Sequence, residues 1–121
     1  MKTSELTGAA LVRALAKCEN VELDENNKPI WFGDDDERVE YTPPTDWAQG
    51  GPIIERMRLN RLTTNVSGGY TASVKVTLTN TDDDFYIVWA SRSGPTPLIA
   101  AMRCYVASKL GDIVEVPKEL I

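Results

Sequence analysis

The feature that most constrains the fold is the segment at residues 70–78, where apolar and polar side chains alternate at every position. A period of two is typical of a β-strand with one face on a hydrophobic core and the other in water. An acidic turn at residues 79–84 follows, and then a more continuously apolar run at residues 85–90. The sequence therefore predicts an antiparallel hairpin whose second strand is the more central of the two.

Helical periodicity appears twice. Thr7 is the expected N-cap of a first helix, whose apolar stripe lies within residues 11–18. The second helix is expected to begin at Thr96, to carry Pro97 in its first turn and to end at Gly111. Both helices have an apolar side that needs a partner surface, and the predicted hairpin offers one.

These elements define the expected fold class. We predict one domain over residues 1–121, of the α+β class, with an antiparallel sheet of three to five strands and two main helices packed on one face. A further hairpin is expected at residues 21–32 and a short strand at residues 38–41.

Several function classes are disfavoured by composition. Histidine is absent, which removes Ser-His-Asp and Cys-His catalysis, and Cys18 and Cys104 lack the spacing of a zinc site. The net charge of −5 argues against direct nucleic-acid binding, which depends on Lys and Arg. We interpret the acidic runs at residues 34–37 and 82–84 as solvated turns. No catalytic residue, metal site or cofactor is therefore predicted, and the balance is against an enzyme.

The segment at residues 42–56 combines three prolines and two adjacent glycines with several chemically distinctive side chains. We predict an irregular loop here, ending in a short helical turn that starts at Pro52. Two interpretations stay open: a binding loop, or a structural loop whose tryptophan closes one end of the core. The candidate binding residues are Asp46, Trp47, Gln49, Gly50, Gly51, Glu55 and Arg56.

A second candidate site lies at the start of the last helix. Backbone N–H groups at a helix N-terminus attract anions, so Thr96 marks a possible anion site. Simple capping by the Thr96 hydroxyl would satisfy the same donors and is the favoured interpretation.

Three stretches carry a family resemblance: LTGAAL at residues 6–11, PTDWAQGGPIIER at residues 44–56 and GPTPLIAAMRCYVASKLG at residues 94–111. With these motifs the chain resembles the phage NinX-like family, small proteins encoded by temperate bacteriophages and prophages of enteric bacteria. The resemblance implies a phage or prophage origin and no assigned activity or cofactor.

The expected function is that of an accessory protein, a non-catalytic interaction module that binds a host or phage protein through residues 42–56. The alternatives are a small-ligand-binding protein or enzyme with a pocket under the same segment and, more weakly, an accessory factor in phage DNA recombination. An oligomer is compatible with the sequence. No apolar segment reaches the roughly 18 residues of a membrane span, so we expect a cytoplasmic protein of the bacterial host cell.

Overall fold

The computed structural model describes residues 1–33, 35–79 and 85–116. Helix α1 is Gly8–Cys18, helix α2 is Trp47–Met57 and helix α3 is Pro97–Leu110. The strands are β1 (Trp31–Phe32), β2 (Arg38–Val39), β3 (Arg61–Thr64), β4 (Tyr70–Thr79) and β5 (Phe85–Gly94). This combination of helices and antiparallel strands confirms the predicted α+β class.

The main sheet has the order β3-β4-β5, with every neighbouring pair antiparallel. The predicted hairpin is therefore present as β4 and β5. Of the acidic turn predicted at residues 79–84, Thr79 ends β4 and residues 80–84 lie outside the described residues. The expectation that the second strand is central is wrong. Strand β4 is the central one because it pairs with β3 on its other side, whereas β5 has β4 as its one neighbour among the described strands.

The two faces of the sheet differ in character. On one face, Ala72 and Val74 of β4 are buried, and α3 packs against β4 and β5. On the other face Lys75 is exposed, and its ammonium group lies 5.8 Å from the ring centroid of Trp89, which is 58% exposed. The sheet is thus open to solvent on the side away from α3.

The core lies around α3, which is in contact with α1 and α2 as well as with the sheet. Thr7 occupies the N-cap of α1 as predicted, although its side chain accepts no capping hydrogen bond. Leu6 and Leu11 are both fully buried at that helix start. The small sheet formed by β1 and β2 pairs Trp31 with Val39 and stands apart from the main sheet.

The prediction of an irregular loop at residues 42–56 is wrong for most of its length, because helix α2 begins at Trp47 and not at Pro52. The Asp46 side chain caps the helix by accepting a hydrogen bond from the Ala48 N–H at 2.9 Å. The last turn is closed by Arg58 in the left-handed conformation, with φ of 53°. Pro52 lies inside α2, where it has no N–H to donate to the Ala48 carbonyl.

None of the helices in the described ranges has the length and apolar character needed to cross a lipid bilayer.

Candidate functional site

The seven candidate residues lie on and just before α2, and the helix divides them between two sides. Gly50 faces the protein interior together with Ile53, which is only 2% exposed. Trp47, Gly51 and Glu55 are spaced by four residues and form one ridge on the outward side. We call these three residues the outward ridge. The segment therefore has a structural side and a solvent-facing side.

Asp46 and Gln49 act within the protein. Besides its capping side chain, the Asp46 carbonyl accepts hydrogen bonds from the Gln49 and Gly50 N–H groups. The Gln49 side-chain carbonyl accepts from the Thr42 N–H at 2.7 Å, and its amide donates to the Glu40 carbonyl at 2.8 Å. These bonds hold the start of α2 against the chain that precedes it.

The adjacent glycines have different environments. A Cβ atom on Gly50 would lie 2.5 Å from the Pro43 carbonyl oxygen and 2.6 Å from Leu98 Cδ1, so the close approach of α2 to these residues requires glycine. A Cβ atom on Gly51 would meet no atom within 4 Å. Packing within the described residues therefore explains Gly50 and leaves Gly51 unexplained.

Arg56 is bound to the protein's own carboxylate. Its guanidinium forms an ion pair with Glu19, at the end of α1, and the Tyr105 hydroxyl donates to the same carboxylate. The bond to Glu19 raises the pKa of Arg56. Burial, helped by the same carboxylate, raises the pKa of Tyr105. Sequence analysis did not single out Glu19 or Tyr105, because nothing in the local pattern shows that these distant residues meet.

Trp47 is 56% exposed, so the interpretation in which it closes one end of the core is wrong. Glu55 is also exposed, and within the described ranges it forms no ion pair with Arg56 or with Arg103. Arg103 instead donates to the Leu6 carbonyl at 2.7 Å and to the Ser93 carbonyl at 2.8 Å. Trp47 and Glu55 are thus available to another molecule on the outward ridge.

Thr96 caps α3 as the favoured interpretation predicts. Its hydroxyl accepts a hydrogen bond from the Ile99 N–H at 3.1 Å, and Pro97 occupies the first turn. One first-turn donor is therefore satisfied within the protein. Anion binding at Thr96 stays a prediction.

A concave cavity of about 710 Å³ lies beside the same segment of chain, between the first half of α1 and residues 38–45. Thr42, Pro44 and Thr45 contribute to its wall, whereas Asp46, Glu55 and Arg56 do not line it. The cavity wall also includes Tyr41, which is 3% exposed. The buried Tyr41 hydroxyl makes no hydrogen bond to the described residues, a situation that costs about 1–3 kcal/mol.

The two cysteines are free thiols, Cys104 buried and Cys18 partly so. Burial raises the pKa of each to about 11, which keeps both in the unreactive neutral form near neutral pH. Among the described residues no cluster of three or more acidic, cysteine or histidine side chains is arranged to hold a metal ion. Residue 34 and residues 82–84 of the acidic runs lie outside the described residues.

The fold and the helix-borne surface define a small α+β protein with an exposed tryptophan on a tightly held helix. The family model described as Bacteriophage P22, NinX matches residues 2–109. The chain therefore belongs to this phage family, as the motifs around α2 and α3 predicted. No curated protein matches the chain with significant similarity.

Proposed function

We propose that this phage-family accessory protein is a non-catalytic interaction module of the host cytoplasm, which binds a host or phage protein through the outward ridge of α2. The observation that carries the proposal is Gly51, a bare position in a helix where the described protein itself needs no glycine. Direct nucleic-acid binding plays no part in it, consistent with the net charge of −5.

The argument from Gly51 is energetic. A glycine in a helix costs roughly 0.5–1 kcal/mol relative to alanine. Close packing against Pro43 and Leu98 compensates for this cost at Gly50, but no described contact does so at Gly51. A bare position between Trp47 and Glu55 lets the surface of another molecule approach the α2 backbone closely. A partner that fills this position would account for the glycine.

Trp47 supports the same surface. Tryptophan is among the residue types enriched at binding hot spots because it offers a large contact area on a side chain with few rotatable bonds. The Asp46 cap, the Gln49 bonds and the Arg56–Glu19 ion pair fix both ends of α2. Little conformational entropy would therefore be lost at this surface when a partner binds. Glu55 adds a negative charge that suits a basic contact on the partner.

The test is an affinity capture from phage-infected cells, treated with nuclease, with the tagged wild type and a Trp47→Ala variant. Trp89→Ala is the matched control, since Trp89 is exposed to almost the same extent on the open face of the sheet. We expect a polypeptide that the wild type and Trp89→Ala capture and that Trp47→Ala loses. A folded Trp47→Ala protein that captures everything the wild type captures would contradict the proposal. Recovery of a differently tagged copy of the chain would identify the partner as a second copy.

The cavity beside α1 favours the alternative, a small-ligand-binding protein. Its wall shares Thr42, Pro44 and Thr45 with the predicted segment but contains none of the outward ridge. The two functions are therefore separable by mutation.

A further inference from the structure

The cavity between α1 and residues 38–45, here named the α1 cavity, has the size and surface of a ligand site. Its volume of about 710 Å³ falls within the range of small-molecule pockets, roughly 300–1,000 Å³. The apolar part of its wall comes from separate parts of the chain, among them Val12 of α1, Pro29 and Val39 around the β1–β2 sheet, and Ile99 of α3. Such a surface suits an apolar group of a ligand.

Cations dominate the polar part of the wall. Arg13, Lys28 and Arg38 line the α1 cavity, against the single carboxylate of Glu40. Arg38 is already paired with Asp24, but in the described ranges neither Arg13 nor Lys28 forms an ion pair. Arg13 donates one hydrogen bond, to the Asn27 carbonyl at 3.0 Å, and keeps further N–H groups. The cavity is thus locally cationic in a chain of net charge −5.

The start of α1 adds to this preference for an anion. Gly8 and Ala9, whose N–H groups belong to the first turn, line the α1 cavity. The Thr7 side chain at the N-cap accepts no hydrogen bond from them, in contrast to the capping side chains of α2 and α3. An anion near this helix start would be favoured by the free donors and by the helix dipole.

Tyr41 also contributes to the wall of the α1 cavity. Its side chain is nearly fully buried in the wall of the α1 cavity, and its hydroxyl is without a hydrogen-bond partner among the described residues. A polar group buried in this way is uncommon, because its lost hydration is uncompensated. The hydroxyl oxygen itself has almost no accessible surface, and the charged groups that act on its pKa are Glu19 and Arg56, at the other end of α1. Tyr41 therefore contributes its ring to the wall, and its hydroxyl is not a ligand contact.

From these features we propose that the α1 cavity binds a small amphipathic carboxylate, with its apolar body against Val12, Pro29, Val39 and Ile99 and its carboxylate toward Arg13, Lys28 and the first turn of α1. This inference specifies the alternative small-ligand function. It does not depend on the outward ridge of α2, whose residues are absent from the cavity wall.

The test is an NMR titration of the isotope-labelled full chain with three probes: octanoate, its neutral amide octanamide, and acetate. Octanoate is expected to shift the amide signals of Gly8, Ala9, Val12 and Thr42 saturably at millimolar concentration. Octanamide lacks the charge and acetate lacks the apolar body, so each should bind at least tenfold more weakly. Octanoate that leaves these signals unmoved, or octanamide that binds as tightly, would overturn the proposal.

Two cavity variants and one control variant locate the binding. The Lys28 side chain is exposed and makes no hydrogen bond to the described residues, so Lys28→Gln removes its charge without breaking an internal contact. This variant should bind octanoate about tenfold more weakly, the effect of losing one charge-assisted hydrogen bond. Arg61→Gln makes the same charge change on β3, away from the cavity, and should leave the affinity unchanged. Equal affinity in Lys28→Gln and the wild type would contradict the assigned carboxylate position. Val12→Trp, which fills the α1 cavity, should abolish binding, and a folded variant that still binds would contradict the site.

Discussion

Alanine substitution at the two adjacent glycines of α2 should change the stability of the protein in opposite directions. In Gly50→Ala the new methyl group would lie 2.5 Å from the Pro43 carbonyl oxygen and 2.6 Å from Leu98 Cδ1. Neither neighbour can move away easily, because Pro43 is fully buried and Leu98 is only 3% exposed. Overpacking of this kind costs roughly 1–3 kcal/mol, and alanine's better helix propensity returns about 1 kcal/mol. The difference is a net destabilisation of roughly 0–2 kcal/mol, and because both contacts are well below 3 Å we expect a value near the upper limit.

Gly51→Ala is the matched control and places the same methyl group in open space. Only the propensity gain remains, so we expect this variant to be stabilised by about 0.5–1 kcal/mol. Urea unfolding followed by circular dichroism measures both changes. With an m-value of roughly 1–3 kcal/mol/M, the two midpoints should differ by about 1 M. A Gly50→Ala protein as stable as the wild type, or a Gly51→Ala protein clearly less stable, would refute the packing argument.

Three further predictions concern the helix cap and the buried titratable groups. Thr96→Ala should lower the free energy of unfolding by about 1 kcal/mol, because the cap of α3 is lost. If the hydroxyl only caps α3, phosphate should shift the melting temperatures of wild type and variant equally. A stabilisation by phosphate that the variant loses would instead establish an anion site. At pH 8 Cys18 and Cys104, with pKa values of about 11, should react with a disulfide reagent roughly a hundredfold more slowly than after unfolding in urea, and equal rates would contradict their burial. Burial raises the pKa of Tyr41 and Tyr105 above the ordinary value near 10. Their contribution to the free energy of unfolding is therefore complete below pH 10 and is lost as the pH rises above it. Absorbance at 295 nm should show these phenols ionising together with unfolding, and their ionisation in the folded protein would disprove the shift.

The sequence predicts the parts of this fold that local patterns determine. The alternation at residues 70–78 identified β4, and Thr96, Pro97 and Gly111 marked both ends of α3. Each of these signals lies within one element and needs no knowledge of its neighbours. The same reasoning misplaced β5 as the central strand, because an apolar run does not reveal how many partners a strand has.

Helix α2 was missed because tertiary contacts override its poor intrinsic propensity. Two glycines and Pro52 each disfavour a helix when considered alone. The Asp46 cap, the burial of Ile53 and the close contact at Gly50 compensate for them. The cap is local to the helix start, whereas the burial of Ile53 and the contact of Gly50 with Leu98 depend on the surrounding fold. The sequence did identify the segment as distinctive. It could not show which of its residues face inward, and that division separates structural groups from a candidate surface.

The α1 cavity could not be predicted for a similar reason. Its wall combines α1, the β1–β2 region, the chain before α2 and one residue of α3, none of which carries a recognisable motif. Arg13 and Lys28 are unremarkable as single positions in the sequence. Only the fold places them in one wall with the first turn of α1.

Photo-crosslinking in phage-infected cells is the measurement that tests the proposed interaction surface most directly. Ala48→p-benzoylphenylalanine places a photoreactive group on the exposed side of α2, next to Trp47, and Thr63→p-benzoylphenylalanine places it on exposed β3 as the control. The account predicts a discrete adduct with a second polypeptide from position 48, absent from position 63 and lost when Trp47→Ala is added. No adduct from position 48, or the same adducts from both positions, would contradict it.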